Sequence, residues 1–198
     1  MSVEKGMTPQ PNTEYLDNGH RYRTDEHGRT VITEGWLKEE MAPRNPAAQR
    51  KAGGDDRKGT DHGGHGGKAS SGFTGELVNI TAQEGDLNTG GTAKFGELSD
   101  EERDRINRGE HTDFFNVENY RDMERFLDYQ VSQGKRVYFQ KRNYFEGNSK
   151  RPSHYVVFVT VYDADGKSRN HSFTFYNTDK EGRKGQRDRA RRKNEKES

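Results

Sequence analysis

Thr60-Asp61-His62-Gly63-Gly64-His65-Gly66-Gly67 is followed, after a gap, by Val78-Asn79-Ile80-Thr81-Ala82-Gln83 and then by Leu87-Asn88-Thr89-Gly90. The reading of these three pieces decides the fold. Composition alone assigns residues 43–71 to loop or linker, because they are dense in Gly, Asp, His and Lys and carry almost no large apolar side chain. Residues 75–81 hold Leu77, Val78 and Ile80, short enough for either a small strand or an extended loop.

The flanking sequence is easier to read. His20-Arg21-Tyr22-Arg23-Thr24, then Asp25-Glu26-His27-Gly28, then Arg29-Thr30-Val31-Ile32-Thr33 is the order of a strand, a Gly-closed turn and a strand. Ser99-Asp100-Glu101-Glu102 has the capping-box spacing, with Gly109 placed to end a short polar helix. Tyr120, Met123, Phe126, Leu127 and Val131 recur at helical spacing between a capping Asn116 or Asn119 and a terminating Gly134. Arg136 to Asn143 alternates around Val137 and Phe139, and 154–162 contains the run Val156-Val157-Phe158-Val159-Thr160-Val161. Asp163-Ala164-Asp165-Gly166 then turns the chain into residues 171–176, closing a second hairpin. An α+β fold with an antiparallel central sheet and one long amphipathic helix follows.

Composition bounds the rest. Only 26% of the 198 residues are hydrophobic and 34% are charged, a lean core, yet 34 Lys+Arg against 33 Asp+Glu leave a net charge of +1. Charge-driven disorder is therefore not expected. No apolar run approaches the roughly 18 to 20 residues of a membrane helix, and Met1 to Pro11 does not resemble a signal peptide. The absence of cysteine excludes disulfides, thiolate zinc sites and thiol nucleophiles. Three regions are expected: a flexible arm over 1–14, a domain over 15–178, and a basic disordered tail over 179–198. From Lys180 to Ser198 there are nine basic and four acidic residues, so the rest of the chain is net acidic.

Taken in order, an acid and a histidine beside glycines, an Asn-Ile-Thr-x-Gln segment, Leu-Asn, and a helix containing Met123-Glu124 resemble the DNA/RNA non-specific endonuclease family. The branch resembled is that of C-terminal nuclease domains of bacterial polymorphic toxins. Asn18-Gly19-His20-Arg21-Tyr22-Arg23-Thr24-Asp25 through Gly28-Arg29 is similar to the family's opening hairpin, and Arg151-Pro152 and Phe175-Tyr176-Asn177 to its closing segments. Three positions depart from the family pattern: Gly66-Gly67-Lys68 follow the histidine where apolar residues are usual, His62 stands where an Arg is common, and Ala82 where a Pro is common. Residues 90–118 read as an insertion.

The resemblance implies a ββα-metal, or His-Me finger, core. His65 matches the catalytic histidine, and a neutral imidazole can take a proton from water attacking a phosphodiester. Asn88 matches the metal-binding asparagine, a hard oxygen donor suited to hydrated Mg²⁺, with Mn²⁺ as the alternative ion. Glu124 matches the acid that supports the ion's water shell, and Asp61 the acid that opens the motif and orients its neighbours. A cation near the phosphate is expected, with Arg57 and Arg50 as candidates, within a basic cleft that adds Lys51, Lys58 and Lys68. The expectation is a monomeric, Mg²⁺-dependent endonuclease cutting DNA, and RNA as a further substrate, with little sequence preference. The toxin branch implies an antibacterial effector, a cognate immunity protein, no membrane partner, and secretion or delivery into the target-cell cytoplasm, as a piece of a larger protein or a stand-alone effector. Three rivals stay open: a non-enzymatic nucleic-acid-binding or secretion-associated module, a metal-independent RNase toxin, and a zinc pair made by His62 and His65.

Overall fold

Alternation of inward and outward side chains builds the main sheet. The structure, a computed structural model, describes residues 1–90, 99–107, 119–186 and 189. Strands β1 (Glu14–Asp17), β2 (His20–Thr24), β3 (Thr30–Trp36), β6 (Arg136–Phe145), β7 (Pro152–Tyr162) and β8 (Ser168–Tyr176) form one six-stranded sheet in the order β1-β2-β3-β6-β7-β8. Every pairing in it is antiparallel. On one face Val137, Phe139, Val157, Val159, Val161 and Phe175 are buried, and each such side chain contributes about 1.5–3 kcal/mol by leaving water. Helix α4 (Tyr120–Ser132) covers that face with Tyr120, Met123, Phe126 and Leu127. Phe126 meets the rings of His171 and Phe173 edge-on at 5.1 and 5.9 Å. The helix starts where the Asn119 side chain accepts the Asp122 amide at 3.2 Å, and ends before Gly134, whose φ of 72° favours glycine.

Between β3 and β6 the chain leaves the sheet and makes a second unit. It comprises helix α1 (Pro46–Lys51), strands β4 (Asp61–His65) and β5 (Ile80–Glu84), paired antiparallel, and the short helix α2 (Gly85–Thr89). Residues 43–71, expected as loop, thus hold a helix and a strand. The physical reason is that β4 carries no apolar side chain, so hydrophobic alternation has nothing to register. Its order comes from pairing with β5 and from polar anchors. In α1, Pro46 occupies the first turn and the Asn45 side chain accepts the Ala47 and Ala48 amides at 3.0 and 3.1 Å. Residues 77–79 form a 3₁₀ turn and β5 begins at Ile80, which settles the open assignment there.

Helix α3 (Asp100–Asn107) lies where the capping box places it. The expected C-cap Gly109 and most of the expected insertion lie outside the described residues. At the start of the chain, Met1 donates its ammonium to the Glu14 carbonyl at 2.9 Å, and Val3 and Met7 pack against the core. After β8, residues 180–186 are helical and Arg183 is buried. No helix among the described residues is long and apolar enough to cross a membrane.

Candidate functional site

The β4–β5–α2 unit is pinned to the main sheet by long-range polar bonds. Arg151, at the entrance to β7, grips Asp61 with Nε and Nη2 at 2.7 and 2.8 Å and gives Nη1 to the Asn177 carbonyl at 2.8 Å. The Asn177 side chain in turn donates to the Ala82 carbonyl at 3.0 Å and accepts the Glu84 amide at 2.8 Å. Two tyrosine hydroxyls complete the attachment: Tyr155 donates to the Ala82 carbonyl at 3.0 Å, and Tyr120 donates to the Gly66 carbonyl. Burial holds both hydroxyls far above the ordinary tyrosine range, so they remain donors.

The turn after His65 is equally fixed. Asn79 accepts the Gly67 amide at 2.8 Å and donates to the Gly67 and Thr74 carbonyls at 2.9 and 2.7 Å. A Cβ on Gly67 would overlap the Phe73 ring, and one on Gly63 would run into the α1 backbone at Gln49. The glycines around His65 therefore permit close backbone approach, and the turn is clamped.

His65 sits at the last position of β4, opposite Ile80. Its Nε2 is buried without a hydrogen-bond partner among the described residues. Burial lowers its pKa to about 4, with the positive charges of Arg44 and Lys141 adding to the effect. Lys141, on β6, is fully buried, its Nζ has no hydrogen-bond partner among the described residues, and burial lowers its pKa to about 7 against the opposing pull of Glu124. Glu124, on α4, lines a crevice with Gly66, Lys68, Tyr120 and Phe139. Burial raises its carboxyl to about 7, opposed first by Lys68, while Asp128 adds to the rise. Lys141 thus acts on both His65 and Glu124. Asn88, on α2, is half-buried and makes no side-chain hydrogen bond to a described residue; α2 packs on α4 and on both strands of its own unit.

Two expected site residues have structural partners. Burial works against the charge of Asp61, but Arg151 and the Lys58 amide more than offset it and hold the carboxyl below the usual range. Arg57 donates to the Gln49 and Ala52 carbonyls at the end of α1 and to the Asp61 carbonyl on β4, at 2.7, 3.2 and 2.7 Å. It joins the helix to the strand. Of the expected basic cleft, Arg50, Lys51 and Lys58 are exposed and Lys68 pairs with Asp128. The cations that act on His65 are Arg44 and Lys141, which the sequence reading missed. His62 and His65 stand three residues apart on a strand and so face opposite sides of it, which removes the zinc pair. Among the described residues no three His, Asp or Glu side chains gather as a metal cage.

An antiparallel strand pair, a histidine ending its first strand, and a short helix carrying an amide directly after its second make a ββα unit. The model of the DNA/RNA non-specific endonuclease family matches residues 11–114, a span that includes His65 and Asn88. The chain belongs to that family. It is a nuclease, and nucleases act on nucleic acids. Among solved structures it is similar to an extracellular endonuclease, at 16% identity over 83% of this chain and 81% of that one, with a TM-score of 0.51. It is also similar to a chain of the EndoG/EndoGI complex solved for the mechanism of EndoG inhibition, at 14% identity over 86% of this chain and 76% of that one, with a TM-score of 0.53. These two likenesses show the shared α+β fold with its mostly antiparallel sheet. No curated protein matches the chain.

Nucleases of the ββα-metal type generally use a divalent metal. The donors present fit a hard, largely hydrated ion: an amide oxygen on Asn88 with no partner among the described residues, and the Glu124 carboxyl in a crevice on α4, the helix against which α2 packs. They do not fit a closed structural cage.

Proposed function

We propose that the protein is a metal-dependent, sequence-nonspecific endonuclease in which His65 is the general base. One observation carries the assignment of His65. His65 ends the first strand of the ββα unit, with Asn88 on the short helix that follows the second strand, inside the span that the family model matches. With a pKa near 4 the imidazole is neutral at pH 7, ready to accept a proton. The imidazole of His65 takes the proton of a water molecule, the water oxygen bonds to phosphorus, and the bond from phosphorus to the 3′-oxygen breaks. Asn88 and Glu124 are the residues that would hold Mg²⁺, or Mn²⁺, Asn88 through its oxygen and Glu124 through the ion's waters. Such an ion would neutralise charge on the phosphate and the leaving oxygen. Asp61 and Arg57 are positioning residues in this reading, fixing the strand that bears His65.

We assign DNA as the substrate, with RNA as a second one, from the family's description, and little sequence preference, because contacts to phosphates and sugars carry no sequence information. The resemblance to polymorphic-toxin nucleases supports an antibacterial role after secretion or delivery. An inhibitory immunity protein is proposed on the same ground and by analogy with EndoG, whose structure was solved with its inhibitor.

The test is supercoiled plasmid incubated with the purified protein in Mg²⁺, Mn²⁺ or EDTA, beside His65→Ala. Nicking that requires the ion and falls about 10²- to 10⁴-fold in His65→Ala is expected. Nicking unchanged by the substitution overturns His65 as the base. RNA cleavage in EDTA turns the reading to a metal-independent RNase, and intact plasmid with a mobility shift in every lane to a non-enzymatic binding module.

A further inference from the structure

We infer that Lys141 is a positioning residue of this site: its buried amine, rather than its bulk, sets the arrangement of His65 and Glu124. The inference rests on the nuclease reading above. Lysine is almost never fully buried unless paired, and desolvating its charge costs several kcal/mol. Lys141 occupies the inward parity of β6, in line with Val137 and Phe139 and across from Val157 on β7 and Thr33 on β3. An apolar side chain there would extend the core at no such cost, so packing does not explain the lysine.

Its surroundings do. With no hydrogen-bond partner among the described residues, the ammonium rests on two aromatic faces, 4.0 Å from the Tyr155 ring centre and 4.7 Å from that of Tyr120. Those are the two tyrosines whose hydroxyls hold the ββα unit, one at Ala82 on β5 and one at Gly66 beside His65. The same charge attracts Glu124 on α4 and repels a proton on His65. Lys141 therefore presents one buried amine, charged in part near pH 7, to the sheet, the helix and the ββα unit, at a position where each charge acts strongly. The other charges facing the pair are Arg44 on the His65 side, and Lys68, Asp128 and Arg121 on the Glu124 side. Being fully buried, Lys141 does not touch substrate in this conformation.

The experiment compares wild type, Lys141→Met and Lys141→Arg in plasmid nicking with Mg²⁺, in thermal unfolding, and in the ring NMR signals of His65 in metal-free protein. Removing a buried charge at nearly constant volume leaves the melting temperature equal or higher. The expected Lys141→Met protein is thus as stable as wild type, yet loses about tenfold or more in kcat with KM within about threefold, and its His65 ring signals move. Lys141→Arg, which keeps the charge, recovers most of the kcat. A Lys141→Met protein with kcat within about threefold of wild type overturns the inference, as does a loss matched by a fall in stability that marks a packing role. If Lys141→Arg fails to fold, the Lys141→Met split decides alone. If wild type nicks nothing, the nuclease reading has failed separately, and the His65 signals then decide: unmoved signals overturn the role of Lys141, and moved signals sustain it.

Discussion

The main sheet and the ββα unit attached to it are held in place by a different balance of forces. Within the sheet, Val137, Phe139, Val157, Val159 and Phe175 each bury apolar surface, so the stabilisation is spread over many side chains of similar worth. In the unit, β4 contributes no apolar side chain, and beside the small apolar cluster of Ala48, Ala52 and Ile80 and the packing of Val78 and Leu87 on the core, its place depends on buried polar bonds made by Arg151, Asn177, Asn79, Tyr120 and Tyr155. Distributed burial degrades gradually under substitution. Concentrated polar anchoring fails abruptly, because the loss of one partner strands another in a dry interior.

Arg151→Met breaks that comparison hardest. It leaves the Asp61 carboxylate buried without its guanidinium and the Asn177 carbonyl without a donor, a loss of about 3–5 kcal/mol in urea unfolding. Hydrogen exchange is expected to rise in β4 and β5 before it rises in β7. Pairing the change with Asp61→Leu removes the stranded charge as well, and recovery of most of the stability is expected. A loss under about 1 kcal/mol for the single variant would mean that the unit is held by something other than this pair.

Acid sharpens the same contrast through His65. Its folded pKa of about 4 lies below the reference 6.5, so the unfolded chain binds more protons between those values. The stabilisation is complete above pH 6.5 and is lost as pH falls toward 4, by roughly 3 kcal/mol. Urea midpoints of wild type and His65→Ala, compared from pH 7 to pH 4, should converge by that amount, and the acid limb of kcat/KM should lie nearer 4 than 6.5. A constant difference between the two proteins across this range would place the ring in solvent.

Gly67→Ala is a smaller disturbance. The added methyl meets Phe73, a buried ring stacked on His20, so something must shift, at about 1–3 kcal/mol. Alanine at Gly134 meets no neighbour and bears only the strain of its positive φ, so a larger loss at Gly134 than at Gly67 would contradict close packing as the reason for the glycine after His65.

What the sequence discloses follows the same division. The hairpin of β2 and β3, the strands β6 to β8 and helix α4 are legible because period 2 and period 3.6 in apolar residues report burial directly. Strand β4 is silent in that code, and only the ordered pieces from Asp61 to Asn88, matched against a family pattern, single out His65. Arg57 and Asp61 carry the right charges for a reactive site, yet Arg57 is taken up by the end of α1 and Asp61 by Arg151 just before β7, and no local pattern shows a contact 90 residues away. Lys141 did leave a signal. The alternation through Val137 and Phe139 puts position 141 on the buried side, and a lysine at such a position is an anomaly that composition averages away.

Tyr120→Phe tests the finest part of this division, since it deletes one hydroxyl from one ring. The aromatic face under Lys141 and the edge contact with Phe175 survive, so the sheet and α4 should barely register the change. What is lost is the hydrogen bond to the Gly66 carbonyl, about 1 kcal/mol, and that carbonyl is then buried without its donor. If polar anchoring positions His65, the fall in kcat should exceed what so small a loss of stability explains, with KM nearly constant. Tyr155→Phe is the comparison variant, because it removes a bond at Ala82, two residues along β5 from the Ile80 that faces His65, and leaves that carbonyl with Asn177 as its donor. Equal loss of kcat in the two variants would show that the unit moves as one rigid body. A larger loss in Tyr120→Phe would show that the clamp on the turn after His65 is the one that matters, because the displacement would then be confined to the end of β4.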